Sequence, residues 1–260
     1  MQLHFKSFGS GDPIIILHGM LGMLDNWQSF GRELSTNHLV YLIDLRNHGK
    51  SDHNQTISYT EMANDVRETM ESQWMYDGAI VMGHSMGGKT AMQLALDHPS
   101  LVKMLIVVDI APVQYQGGHE KIIEALQNIN FVGINSRQEI SDQLADKIDD
   151  KSIVNFLMKN LSRSKDGSFA WKMNLKAIAN GYSNLLAAPT YSETPYIGPT
   201  LFIKGANSNY LASDYESRIR TWFPNAVIKT IAGAGHWVHA DQPVQLKKVL
   251  EDFISEHHTS

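Results

Sequence analysis

Ser85 lies in Gly83-His84-Ser85-Met86-Gly87-Gly88, and a serine with glycine two positions away on each side is the pattern of a nucleophile elbow. The apolar run 79–82 before it reads as a short buried strand. Ala91, Met92, Leu94, Ala95 and Leu96 after it read as a helix that Pro99 stops. A turn tight enough to join the two strains the backbone at Ser85 and leaves little room for a Cβ at Gly83 or Gly87. It holds the hydroxyl at the strand tip and puts the next backbone N–H at a helix N-terminus, where an oxyanion is stabilised. The chemistry implied is attack of the hydroxyl on an acyl carbon.

A serine hydroxyl is a weak nucleophile near neutral pH and needs a general base. Of the twelve histidines, His236 is the candidate. Gly233-Ala234-Gly235-His236 directly follows the last strand run, which brings the imidazole to the same sheet edge as Ser85. His239 reads as a packing or solvent-contacting side chain at the start of the closing helix, and His84 as turned away from Ser85. A carboxylate must then orient the imidazole and balance its charge. The stretch 205–210, after the preceding strand run, contains no acid, and Asp214 comes later at a helix start. Asp109 ends the strand run after the elbow and is the candidate, ahead of Asp214. In the competing reading Asp109 only satisfies loop amides, while Ser208 or a water orients His236. An oxyanion hole needs two donors. The Met86 amide is one candidate and Met20, ahead of Leu21, is the other, in a loop that His18 would fix by hydrogen bonding.

The elements that must position these groups alternate along the chain. Strand runs at 14–17, 39–43, 79–82, 102–108, 201–205 and 226–231 are interleaved with helical stretches such as 27–34, 59–75 and 244–254, after a weak strand at 3–5. This order predicts an α/β fold with a mostly parallel, doubly wound sheet. From 113 to 196 strand runs vanish, and amphipathic helices are expected at 120–128, 136–148 and 152–161. The expected organisation is a core of 1–112 and 197–260 with a helical cap, 113–196, inserted above the strands' carboxyl ends. Candidate substrate-binding side chains are Leu21, Phe131, Phe156, Trp171 and Trp237. For the cap aromatics, Phe169 and Tyr182 included, the competing reading is that they only pack helices. Lys89 reads as a structural or solvated residue of the helix after the elbow.

Composition removes other classes. The 260 residues are 43% hydrophobic with a net charge of -5 and no cysteine. Disulfides, thiolate catalysis and cysteine-bound zinc are thereby excluded, and nothing is basic enough to suggest nucleic acid. No apolar run approaches the roughly 20 residues of a membrane span. The first residues lack the apolar segment of a secretory signal, so a cytoplasmic protein is expected. No metal or other cofactor is expected. The sequence carries no signal of oligomeric state, and no functional weight falls on 257–260.

Four stretches together carry a resemblance: His18-Gly19, Asp44-x-Arg46-x-His48-Gly49-x-Ser51, the serine motif, and Gly233-Ala234-Gly235-His236-Trp237. Over about 14–254 the chain resembles the α/β-hydrolase superfamily, with Asn47 where the superfamily usually has glycine. Arg46-Asn47-His48-Gly49, Ser85-Met86-Gly87-Gly88-Lys89 and Val108-Asp109-Ile110-Ala111-Pro112 more closely resemble the bacterial YbfF-type esterases. That resemblance implies a triad acid after the strand that follows the elbow, which supports Asp109. It also implies hydrolysis of short acyl esters and, in some members, acyl-CoA thioesters. The expected function is cofactor-free cleavage of a small-molecule acyl ester or thioester through an acyl-enzyme on Ser85. Acyl transfer to an alcohol, a perhydrolase activity, or a small-molecule receptor on the same scaffold are the alternatives. Dehalogenases and epoxide hydrolases need an aspartate where Ser85 stands.

Overall fold

The structure, a computed structural model, describes residues 1–257; the last three positions of the 197–260 segment lie outside the described residues. In chain order the strands are β1 (Phe5–Phe8), β2 (Pro13–Leu17), β3 (Leu39–Ile43), β4 (Ala79–His84), β5 (Val102–Val108), β6 (Leu161–Arg163), β7 (Phe169–Trp171), β8 (Thr200–Gly205) and β9 (Ala226–Ile231). The helices are α1 (Gln28–Leu34), α2 (Tyr59–Ser72), α3 (Met86–Asp97), α4 (Glu120–Gln127), α5 (Arg137–Ala145), α6 (Lys151–Met158), α7 (Leu175–Asn180), α8 (Tyr182–Leu186), α9 (Glu216–Trp222), α10 (Val238–Asp241) and α11 (Pro243–His257).

Seven strands form one sheet in the order β1-β3-β2-β4-β5-β8-β9, parallel except for β1 against β3. The continuous aliphatic runs are explained by burial on both faces. Ile15 and Leu17 of β2 enter one core with Met62 and Val66 of α2 and Ala91 and Met92 of α3. Ile14 and Ile16 enter the other, with Phe30 and Leu34 of α1 and Leu246 and Leu250 of α11. Each of these side chains larger than alanine contributes about 1.5–3 kcal/mol of burial. Because the parallel strands share a direction, the segments leaving β4, β5, β8 and β9 converge at one sheet edge.

Some boundaries differ from the pattern-based expectation. The first strand is Phe5–Phe8 rather than 3–5, since its place is decided by pairing Phe5 with Ile43 and Phe8 with Val40. A 3-10 turn, Leu24–Trp27, precedes α1. Helix α2 starts where Ser58 accepts from the Glu61 amide and ends before Trp74, whose φ of +60° breaks the helix. Between β5 and β8 the chain forms α4 to α8, but strands do not vanish there. β6 and β7 make a two-stranded antiparallel hairpin. Three-residue strands are too short to show alternation, and the Asp166-Gly167 turn, with φ of +91° at Gly167, is the signal that would have revealed it. No helix among the described residues is long and apolar enough to cross a membrane.

Candidate active site

Ser85 joins β4 directly to α3 with φ of +53°, a left-handed conformation that costs a non-glycine residue of order 1–3 kcal/mol. The glycines around it have steric reasons. A Cβ on Gly83 would lie 2.1 Å from the Gly87 carbonyl oxygen, and one on Gly87 would lie 2.4 Å from that of Leu17. The result exposes the Ser85 hydroxyl while α3 begins at the next residue, so the Met86 amide is one of those a helix leaves unpaired.

Asp109 stands one residue beyond β5, also strained at φ of +52°. Its carboxylate is fully buried. Oδ1 accepts from the Gly205 amide at 2.9 Å, and Oδ2 accepts from the Ser208 hydroxyl and lies 2.8 Å from His236 Nδ1. A carboxylate oxygen facing Nδ1 requires the proton on that nitrogen, leaving Nε2 as the basic lone pair. The competing reading, in which Asp109 only satisfies loop amides and Ser208 orients His236, does not match this geometry: the one carboxylate takes the Gly205 amide and Ser208 and also faces the imidazole. Asp214 sits exposed in the turn Ser213–Tyr215.

The imidazole is clamped on two sides. Tyr210 stacks on it with ring centroids 3.9 Å apart. His84 Nε2 lies 2.8 Å from the His236 carbonyl oxygen, so it donates there and ties the elbow to the histidine loop. Burial, with His236 and His239 nearby, holds His84 well below the usual imidazole range. His239 is stacked on Trp27 at 4.0 Å, and burial pushes it down to about 3. It packs on Trp27, is half-buried, and lines the same cavity as His236. Ser85 and His236 are not joined by a direct hydrogen bond, but both line one cavity of about 60 Å³; such bonds often tighten only once substrate is bound.

The loop after β2 is held by two neutral histidines. His18 Nε2 accepts from the Leu45 amide at 3.0 Å while its Nδ1 faces the Gly19 carbonyl at 2.8 Å. His48 Nε2 accepts from the Leu21 amide at 3.2 Å while its Nδ1 faces the Arg46 carbonyl at 2.8 Å. Burial pushes His18 down to about 4 and His48 to about 3. The Leu21 amide is thus engaged, whereas the Met20 amide has no partner among the described residues. Asn47 adopts φ of +65°, where asparagine substitutes for glycine at little cost, and its carbonyl accepts from the Asn174 amide at 2.8 Å.

Ser85 and Met20 also line a second cavity, of about 40 Å³, whose walls include Tyr59, Lys89, Tyr115 and Tyr182. Of the aromatic candidates, Phe156 and Trp237 line the histidine-side cavity with rings 5.5 Å apart. Phe131 and Trp171 instead pack on each other at 5.5 Å, and Trp171 Nε1 donates to the Leu126 carbonyl at 3.1 Å. Neither they nor the core residue Leu21 line the cavities beside Ser85. Tyr210, Tyr115, Tyr59 and His119 were not singled out from sequence. Lys89 is not solvated: it is 1% exposed. A lysine one turn after Ser85, with no other charged residue before Asp97 in the same helix, was the available signal. Among the described residues no group of three or more His, Asp or Glu is arranged to hold a metal ion.

Comparison with known proteins follows the same lines. The α/β-hydrolase fold family model matches residues 12–243. An sn-1-specific diacylglycerol lipase of Xenopus laevis is 38% identical over 94% of this chain and 80% of its own. Esterase YbfF of Escherichia coli is 31% identical over 95% of this chain and 94% of its own. A solved marine microorganism esterase superposes with a TM-score of 0.93 at 43% identity, covering 96% of this chain and 98% of its own.

Proposed function

The chain belongs to the α/β-hydrolase family, and we propose that it cleaves short-chain acyl esters with Ser85 as nucleophile, His236 as base and Asp109 as the orienting acid. Esterases and lipases resemble it over nearly its whole length, and it is a hydrolase of small-molecule esters. The observation that carries the residue roles is the 2.8 Å contact of Asp109 Oδ2 with His236 Nδ1, at a cavity shared by His236 and Ser85.

In this reading Ser85 Oγ bonds to the acyl carbon as its proton passes to His236 Nε2. The carbonyl oxygen takes the negative charge and is met by the Met20 and Met86 amides. Collapse breaks the bond to the leaving oxygen, which receives the proton from His236. A water then gives a proton to His236 and its oxygen to the acyl carbon; the Ser85–acyl bond breaks, and the serine recovers the proton. Asp109 stays ionised and balances the imidazolium. No cofactor enters these steps. Since the leaving group must reach His236, it occupies the cavity that His236, Phe156 and Trp237 line, and the acyl chain occupies the one lined by Lys89 and the tyrosines. The 113–196 segment then acts as a cap, since Tyr115, His119 and Tyr182 belong to the acyl side.

The test is an initial-rate series over p-nitrophenyl esters and acyl-CoA thioesters of rising chain length, with Ser85→Ala as blank. A maximum at short oxygen esters is expected. A maximum at CoA thioesters would move the substrate class. An absence of turnover above the blank would favour a receptor on a hydrolase scaffold.

A further inference from the structure

Lys89 is one turn along α3 from Ser85, its amide bonded to the Ser85 carbonyl at 3.1 Å, and its side chain forms part of the acyl-side cavity wall. Its ammonium donates to the Leu186 carbonyl at 3.1 Å and the Ala187 carbonyl at 2.5 Å, at the end of α8. It also lies 4.7 Å from the centre of the Tyr115 ring and 5.4 Å from that of Tyr59. These carbonyls and π-faces offer partial negative charge only. No carboxylate among the described residues lies within ion-pair distance of Lys89. The neighbouring phenols are otherwise engaged: Tyr59 donates to the Leu185 carbonyl at 2.5 Å, and Tyr115 accepts from the Ala111 amide and donates to the Tyr210 carbonyl.

A buried ammonium without a counter-ion is a costly arrangement. Burial pushes Lys89 down to about 7, and a bound anion would favour its charged form. A methionine or leucine in its place would fill the same helix face without that cost. The cavity beside it is small, at about 40 Å³, which favours a short acyl group whose anion lies near the reacting carbon.

We infer that Lys89 is a specificity-determining residue whose ammonium receives a carboxylate on the far end of the acyl group, so that the preferred substrates are half-esters of short dicarboxylic acids. This rests on the assignment of ester hydrolysis to Ser85 and names its acyl class. The rival role for Lys89 is that of a tether between α3 and the end of α8. A tether would affect all acyl groups alike, whereas an anion receptor separates charged from neutral ones.

The experiment measures methanol release by the whole protein from methyl butanoate and from the monomethyl esters of malonic, succinic and glutaric acids, with Ser85→Ala as blank. One of the half-esters is expected to exceed methyl butanoate in kcat/KM by at least about tenfold, and Lys89→Met to lower that ratio by about tenfold or more. Should Lys89→Met not fold, inhibition of the wild-type protein decides: succinate or glutarate should compete with methyl butanoate well below the concentration at which succinamide does. A ratio near one in the wild type, a ratio unmoved by Lys89→Met, or equal inhibition by acid and amide overturns the inference. If the wild type cleaves the neutral ester without favouring the acids, hydrolysis at Ser85 stands and only the acyl class fails. If it cleaves no ester above the blank, both fail.

Discussion

The two cavities that meet at Ser85 are walled by different chemistry. On one side stand His18, His84, His236 and His239, with Trp27 and Trp237. His18, His84 and His236 stand at or just beyond the ends of β2, β4 and β9, and His239 in α10; burial keeps His18, His84 and His239 neutral. On the other side a buried amine and several tyrosines share the cavity wall with the serine, and much of that wall comes from the segment between β5 and β8. Proton transfer requires fixed ring orientations, which strand-end loops supply. Selectivity requires a wall that can vary without moving those rings, and an insertion supplies that. The contrast predicts that substitutions at Tyr115, His119 and Tyr182 change acyl preference, whereas one at Phe156, the residue of the same segment that lines the histidine side, does not.

The largest test of this contrast is Ser85→Ala, which touches both cavities. Turnover of p-nitrophenyl acetate should fall by about 10⁵- to 10⁶-fold, with an unchanged circular-dichroism spectrum. Residual activity within tenfold of the wild type would remove Ser85 from the chemistry. Next comes Asp109→Asn, which acts on the histidine side alone. It should lower kcat by about 10⁴-fold with little change in relative acyl preference, and a loss that depends on acyl length would mean that the two sides are not separable.

Acidification probes the histidine side through stability. His18, His48 and His239 have folded-state values of about 4, 3 and 3, below the roughly 6.5 of an unfolded histidine. The unfolded chain therefore binds more protons as pH falls below about 6.5, and stability present above that value is lost towards pH 3–4. Each group contributes up to about 1.4 kcal/mol per pH unit. Denaturant midpoints should fall between pH 6.5 and 4.5, and a flat profile would show that these imidazoles are not held neutral. The smallest effect is expected from Phe156→Ala, which should change KM by about threefold to tenfold for bulky leaving groups. Varying the acyl chain with a fixed leaving group should give a series parallel to the wild type; a changed acyl profile would reverse the assignment of the cavities.

Much of this arrangement was legible in the sequence because local sterics and strand patterning are local properties. The elbow glycines announced a turn in which a Cβ at Gly83 meets backbone at 2.1 Å. The runs of β2, β3 and β4 were legible for the same reason, since burial on both faces leaves no charged residue to interrupt them, and those of β5, β8 and β9 remained legible although Lys103, Lys204 and Lys229 interrupt them. Asp109 and His236 could be chosen because both directly follow such runs. The β6–β7 hairpin was missed because its strands are three residues each. The aromatic candidates divided without regard to residue type. Phe156 and Trp237 reached the histidine-side cavity while Phe131 and Trp171 found each other, because the helices and hairpin of the insertion set which face of each ring is free.

By itself the sequence determined the parallel α/β order, the strained serine turn and the identity of the groups that follow the strands, since each depends on residues adjacent in the chain. Only the tertiary structure decided that Asp109 holds both Ser208 and His236, that Tyr210 stacks on the imidazole, and that Lys89 is enclosed without an acid partner. Those facts depend on which distant segments share a cavity. Lys89 touches residues 186 and 187, almost a hundred positions away, and no periodicity along the chain records such a contact.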